Sequence, residues 1–234
     1  MPAESKRSRV LVTGAAGFVA SHLGEICAGR DDIQLVGLQR PTSVTRVLPP
    51  GFVAGVEADL LDANGLKDAV AEAKPDQIIH LAGQSSVHES YRNPGGTLLA
   101  NVLGTQHLLF AAEKAHVRRV LIVGSADEYG DIRPEDVPLR EDRPLAPLSP
   151  YAVSRVAQGA LCAEFARRGT VEIVRRSEER RVGLVRGRQR ARVAAAISSA
   201  ALRAELPSAR PADRRDRTGP CPRGHPGRQP GRHP

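Results

Sequence analysis

Tryptophan is absent from this chain of 234 residues, methionine occurs once, and four phenylalanines and three tyrosines make up its whole aromatic complement. Cysteine is nearly absent too. Cys27, Cys162 and Cys221 are scattered without ligand or framework spacing, which excludes a disulfide-stapled fold and gives no metal site. No apolar run approaches the roughly 18 residues that a membrane span needs. The N-terminal MPAESKRSR lacks the apolar core of a signal peptide. The expectation is a cytoplasmic protein that works off the membrane and without a metal.

Two of these scarcities are local. All aromatic residues lie at or before Phe165, and residues 175–234 contain no lysine, yet they hold 16 arginines, five acidic residues and seven prolines. Residues 1–174 carry a net charge of −3 and residues 175–234 a net charge of +11, which together give the chain its +8. So little apolar surface cannot offset the entropy of ordering. Residues 1–174 are therefore expected to form one folded domain, with 175–234 a disordered Arg/Pro/Gly-rich tail. An arginine-rich tail invites a nucleic-acid reading, but it offers no aromatic for base stacking and no binding motif. Arg, Ala, Pro and Gly without lysine or aromatics is the composition of out-of-frame GC-rich coding. The octapeptide RSEERRVG (Arg176–Gly183) resembles a translated sequencing adapter. The tail is thus expected to be aberrant, and nucleic-acid binding is the reading set against that.

Within the first 174 residues, short apolar runs alternate with segments of helical period. Strands are expected at Arg9–Thr13, Ile33–Leu38, Val53–Ala58, Gln77–Leu81, Val120–Gly124 and Val171–Val174. Helices are expected at Phe18–Ala28, Asn64–Ala73, Thr97–Ala115 and from Pro150, capped by Ser149. The inner faces read as Val19, His22, Leu23, Ile26 and Cys27 in the first, Leu98, Val102, Thr105, Leu109 and Ala112 in the third, and Val153, Val156, Ala157, Ala160, Leu161 and Phe165 in the last. Strands separated by helices imply a doubly wound α/β fold, a parallel sheet covered on both faces.

Chemistry concentrates where strands end. LVTGAAGFVASHL (Leu11–Leu23) is a strand, a glycine turn and a helix start. Gly14 and Gly17 allow a backbone close to phosphate, and Phe18 and Val19 open the helix toward it. Arg40 follows the second strand where a ribose-binding carboxylate is usual, so NADP(H) is preferred over NAD(H), the alternative being a solvated loop arginine. Asp59 and Leu60 close the third strand, where Asp59 either accepts from an adenine amino group or caps the next turn. Leu81, Ala82 and Gly83 leave room for a cofactor ribose, and Ser85 and Ser86 offer hydroxyls to a substrate. His80, in an apolar strand, reads as a core histidine rather than a base.

VGSADEYG (Val123–Gly130) and SPYAVSR (Ser149–Arg155) form the strongest constellation. Tyr151 and Arg155 are four apart and share a helix face. A cation there favours the phenolate, and the Ser125 hydroxyl can bind the same substrate oxygen. Asp127 either abstracts a proton α to a ketone or accepts from a sugar hydroxyl.

These motifs, together with NVLGT (Asn101–Thr105), resemble the extended short-chain dehydrogenase/reductase family, in its nucleotide-sugar branch, from Val10 to Val174. The likeness is greatest to the GDP-mannose group. It implies NADP(H), a GDP-sugar substrate, a homodimer through helices 97–115 and 150–167, and a C-terminal substrate domain. The implied reaction is reduction of the 4-keto group of a GDP-4-dehydro-6-deoxy-hexose, with 4,6-dehydration of GDP-mannose as the alternative. By the same resemblance Ser125, Tyr151 and Arg155 are catalytic, Tyr151 and Arg155 also contact the cofactor, and Asp127 replaces a glutamate. Arg155 replaces a lysine that is nearly invariant in the family, an exchange that is not conservative. Ala20 stands where a third glycine is common. After VEIVR (Val171–Arg175) the family pattern is not recognisable, so a sheet short of its last strand and a site short of one wall are expected. A non-catalytic fragment is the further alternative.

Overall fold

The structure, a computed structural model, describes residues 7–41, 47–140 and 142–176. These all fall within one compact unit; the second, Ala204–Pro234, lies outside the described residues, as do the adapter-like segment from Ser177 onward and the rest of the tail.

Six strands make a single parallel sheet in the order β3-β2-β1-β4-β5-β6. They are β1 (Ser8–Thr13), β2 (Ile33–Gln39), β3 (Phe52–Glu57), β4 (Gln77–His80), β5 (Arg119–Val123) and β6 (Glu172–Arg176). The order reverses direction between β1 and β4, which opens the crevice at the carboxyl ends of the strands where such sheets bind ligands. β6 runs two residues past the expected end of the folded part, because Arg175 and Arg176 continue its pairing with Ile122 and Val123.

Alternate strand residues feed two cores. Leu11, Ile78, Val120 and Ile122 pack with α2 (Ala63–Ala73), α5 (Gly104–Lys114) and α6 (Pro150–Arg168). Val10, Val12, Ile79 and Leu121 pack with Ala20, Leu23 and Cys27 of α1 (Phe18–Cys27). Ala20, at the position where the resemblance implied a glycine, is fully buried there. Both described cysteines are buried free thiols; burial raises both, Cys162 to about 11. No helix among the described residues is long and apolar enough to cross a membrane.

Three expectations need correction. The segment Thr97–Ala115 is not one helix. It is α4 (Pro94–Leu98), a π turn (Leu99–Leu103) and α5, preceded by α3 (Val87–Arg92), whose polar VHESYR carries no helical stripe. Ile26 of α1 is exposed, and Gly24 is buried on that face instead. On α6 the buried residues are Tyr151, Ala152, Ser154, Arg155, Gln158, Cys162 and Phe165, so the expected Val153 and Ala160 face outward. Hydropathy chose the wrong side because the inward side is polar, with Ser154 and Gln158 hydrogen-bonded to groups opposite them. Outward-facing Leu98, Leu99, Val102 and Ala157 instead line a shallow depression of about 470 Å³.

Candidate active site

The turn after β1 is shaped for close approach. Gly14 has φ 69°, and a Cβ there would lie 3.0 Å from the Ala82 backbone. Only glycine meets both demands without strain. Gly17 donates to the Gly14 carbonyl at 2.8 Å and begins α1 with no side-chain cap. By contrast α2, α3, α4 and α6 are each capped by a side chain, from Asp62, Ser86, Asn93 and Ser149. α1, whose first residues are Phe18 and Val19, therefore starts without a side-chain cap from Gly17, which suits a pyrophosphate. The residues present fit a dinucleotide.

The neighbouring loops bring further expected residues to the same end of the sheet. Arg40 is exposed directly after β2, and no carboxylate adjoins it in the chain. Asp59 caps the turn after β3, its Oδ1 accepting from Leu61 N–H at 2.9 Å. The Leu60 carbonyl accepts from His107 Nδ1 at 2.9 Å, which ties this loop to α5. After β4, Leu81 and Ala82 are half-buried, and a Cβ on Gly83 would lie 2.7 Å from Asn101 Oδ1 and 3.5 Å from Arg155 Nη2. Ser85 is exposed. Ser86 is also exposed, but its hydroxyl accepts from Glu89 N–H at 3.2 Å as the cap of α3.

His80 is a core histidine, as its strand context implied. The Thr105 hydroxyl spends its proton on the Asn101 carbonyl at 2.7 Å, so Nδ1 is the acceptor of the neutral His80 ring and takes the Thr13 hydroxyl proton at 2.8 Å, while Ala82 N–H donates to Thr13 Oγ1 at 3.0 Å. Nε2–H then donates to Thr105 Oγ1 at 3.0 Å. Burial, reinforced by the charge of Arg155, holds the imidazole neutral and takes its pKa down to about 3. The ring is a spacer between β1 and α5.

Ser125 lies two residues past the end of β5 and caps a 3-10 turn (Ala126–Tyr129): its Oγ accepts from Asp127 N–H at 3.2 Å, and Glu128 Oε1 accepts from Ser125 N–H at 2.8 Å. That turn packs against α6, which begins at the Ser149 cap and the Pro150 start that the sequence indicated. Tyr151 and Arg155 are both more than nine-tenths buried on α6, and the guanidinium carbon lies 5.1 Å from the centre of the Tyr151 ring. Arg155 Nη1 donates to Gln158 Oε1 at 3.0 Å. Its Nε has no hydrogen-bond partner, and no carboxylate among the described residues pairs with it. A desolvated cation with unspent donors beside a phenol is poised to meet polar groups of a ligand.

The residues missed in the sequence are those that fix this pair. Asn101, in the π turn, donates through Nδ2 to Gln84 O and to Ser154 Oγ, each at 2.9 Å, and accepts at Oδ1 from Gln84 N–H at 2.8 Å. Gln158 Nε2 donates to Thr105 Oγ1 at 2.7 Å and to Asn101 O at 3.2 Å. Asn101 falls in the NVLGT motif, a signal of kinship but not of this contact. Gln158, placed three residues after Arg155, was the only sign in the sequence that α6 has a polar inner side.

Together the fold and this arrangement define a Rossmann-type domain with a serine, a tyrosine and a cation assembled at the carboxyl end of its sheet. The model of the NAD dependent epimerase/dehydratase family matches residues 10–208, and the chain belongs to that family. It is 35% identical over 158 residues to a GDP-6-deoxy-D-mannose reductase of Pseudomonas aeruginosa, covering 67% of this chain and 47% of the relative. Among solved structures it resembles the Thermus thermophilus UDP-glucose 4-epimerase complex with NAD (30% identity, TM-score 0.64, 71% of this chain and 53% of that one). It also resembles RMD from Pseudomonas aeruginosa complexed with NADPH (32% identity, TM-score 0.58, 72% and 53%). The chain spans about half the length of the relatives it matches.

Proposed function

We propose that this chain carries the cofactor-binding and catalytic half of an NADP(H)-dependent nucleotide-sugar oxidoreductase that reduces the 4-keto group of a GDP-4-dehydro-6-deoxy-hexose. The observation that carries the reading is the buried Tyr151–Arg155 pair, packed behind the turn that Ser125 caps. The glycine turn and the open start of α1 would hold the pyrophosphate, Leu81 to Gly83 the ribose side, and Arg40 a 2′-phosphate; NAD(H) is the alternative. When bound, the dinucleotide supplies the hydride that the ketone carbon receives. Tyr151 gives its phenolic proton to the ketone oxygen, the Ser125 hydroxyl donates a hydrogen bond to that oxygen, and the Arg155 charge offsets the phenolate left behind. Ser85, Ser86 and Asp127 face sugar hydroxyls.

The kinship with GDP-6-deoxy-D-mannose reductase and the NADPH bound to the similar RMD structure support this choice. Asp127 favours one second reading, 4,6-dehydration of GDP-mannose, because a carboxylate next to the serine suits removal of a proton α to a ketone. The outward apolar side chains Leu98, Leu99, Val102 and Val153 on α4, the π turn and α6 support a homodimer through these segments.

The test is the absorbance of reduced nicotinamide during incubation with each sugar nucleotide. One NADPH consumed per 4-keto sugar supports the reductase, and conversion of GDP-mannose with no net consumption supports the dehydratase. Tyr151→Phe is expected to lower turnover by roughly 10²–10⁴-fold. Arg155→Lys, which restores a compact ammonium, is expected to raise it. No turnover of either substrate by the parent chain refutes the proposal.

A further inference from the structure

Glu128 is fully buried, and its carboxylate works in two directions. Oε1 accepts from the N–H of Ser125, and Oε2 is ion-paired with Arg175 Nη2. Arg175 belongs to β6, and the same Nη2 donates to the Arg155 carbonyl at 3.2 Å. One ion pair, buried at Glu128 and partly exposed at Arg175, thus touches the turn of Ser125, the turn of α6 that carries Arg155, and the edge strand.

Helix α6 is built to receive it. Gly159 lies in the middle of this helix, where glycine is unfavourable. A Cβ there would lie 2.9 Å from the Arg175 guanidinium carbon and 3.0 Å from Nη1. The guanidinium therefore rests on bare backbone one turn beyond Arg155. Burying the Glu128 charge is costly unless its partner is held in place. Neither Glu128 nor Arg175 is needed to bind a dinucleotide or to move a proton.

We propose that Glu128 and Arg175 form an ion-paired strut that positions Ser125 and Arg155 relative to one another, with Gly159 as its footing, so that β6 aligns the catalytic groups from behind. The two are positioning residues, and the inference rests on the reading of Ser125, Tyr151 and Arg155 given above. Separately aligned groups lose rate steeply when displaced by about an ångström.

The experiment compares the full-length parent with Glu128→Gln, Arg175→Met, the double variant and Gly159→Ala. The double variant removes both charges of the pair, so it folds where Arg175→Met alone leaves the buried Glu128 unpaired. Three readouts are taken: thermal unfolding, kcat and KM for NADPH, and the near-ultraviolet circular dichroism of tyrosine. The last is clean here because the chain has three tyrosines and no tryptophan, and Tyr151→Phe identifies the Tyr151 component. The expected result for the double variant is a kcat lower by roughly tenfold, a KM for NADPH changed less than kcat, and a Tyr151 band altered as Arg155 slips from the ring. Gly159→Ala is expected to alter the band the same way without changing any charge. A double variant that melts differently but keeps the parent's kcat and Tyr151 band overturns the strut. A parent that turns over no sugar nucleotide refutes the function, while a Tyr151 band still altered in the variants upholds the strut.

Discussion

Helices α1 and α6 flank the same crevice and are built on opposite plans. α1 has no side-chain cap, buries Ala20, Leu23, Gly24 and Cys27, and presents its bare N-terminus at the glycine turn. α6 is capped by Ser149, buries Ser154, Arg155 and Gln158 among its inward residues, and presents side chains. The contrast shows a division of labour within one sheet. Where backbone dipoles meet a ligand, the packing behind them can be purely apolar. Where side chains must hold a proton or a charge in register, the packing behind them is a hydrogen-bonded network.

That contrast can be broken most severely at Gln158. Gln158→Leu keeps the volume but leaves Arg155 Nη1, Thr105 and the Asn101 carbonyl short of partners. It is expected to cost about 3 kcal/mol and lower Tm by roughly 6–12 °C, measured by thermal unfolding. A loss no larger than that of an exposed substitution would show that the network is ornamental.

His80 gives the next effect. Its folded pKa lies near 3, against 6.5 for a free side chain. Between those values the unfolded chain binds a proton that the folded chain refuses, so the histidine's contribution is complete above about pH 6.5 and is lost as pH falls toward 3. The slope approaches about 1.4 kcal/mol for each pH unit. Denaturant titrations at several pH values check this: the slope in that window should flatten in His80→Asn.

The smallest effects come from exchanging the two helix starts. Ser149→Ala is expected to cost about 1 kcal/mol. Gly17→Asp gives α1 the kind of cap it lacks, but its Cβ meets the Gly14 carbonyl at 3.0 Å, so the net change in stability is expected to be a loss of about 1 kcal/mol or less; if the start of α1 is the phosphate site, the added carboxylate should abolish NADPH binding, measured by fluorescence titration. If NADPH still binds the Gly17→Asp protein, the open start of α1 is not the phosphate site.

The same division explains what could be read from the chain. All six strands and α1, α2 and α6 were legible, because apolar runs and caps such as Ser149 report directly on backbone structure. The glycine turn and the spacing of Tyr151 and Arg155 were legible for the same reason. The inward face of α6 was not, since Ser154 and Gln158 look like solvent-facing residues until Asn101 and Thr105 are placed opposite them. Nor were the two halves of the Thr97–Ala115 segment, because one stripe of Leu98, Val102, Thr105, Leu109 and Ala112 averages over both.

The π turn at Leu99–Leu103 gives that stripe its meaning. One residue inserted into an α-helix rotates everything beyond it by about 100°. Leu98 and Leu99 can therefore look outward while Thr105, Leu108 and Leu109 look into the core, although a straight helix would serve only one of these directions. Removing a single residue from this turn would straighten the segment and swing either the outer stripe or the support for His80 and Gln158 out of place. The extra residue works as a phase shifter, letting a continuous stretch of chain address two surfaces at once.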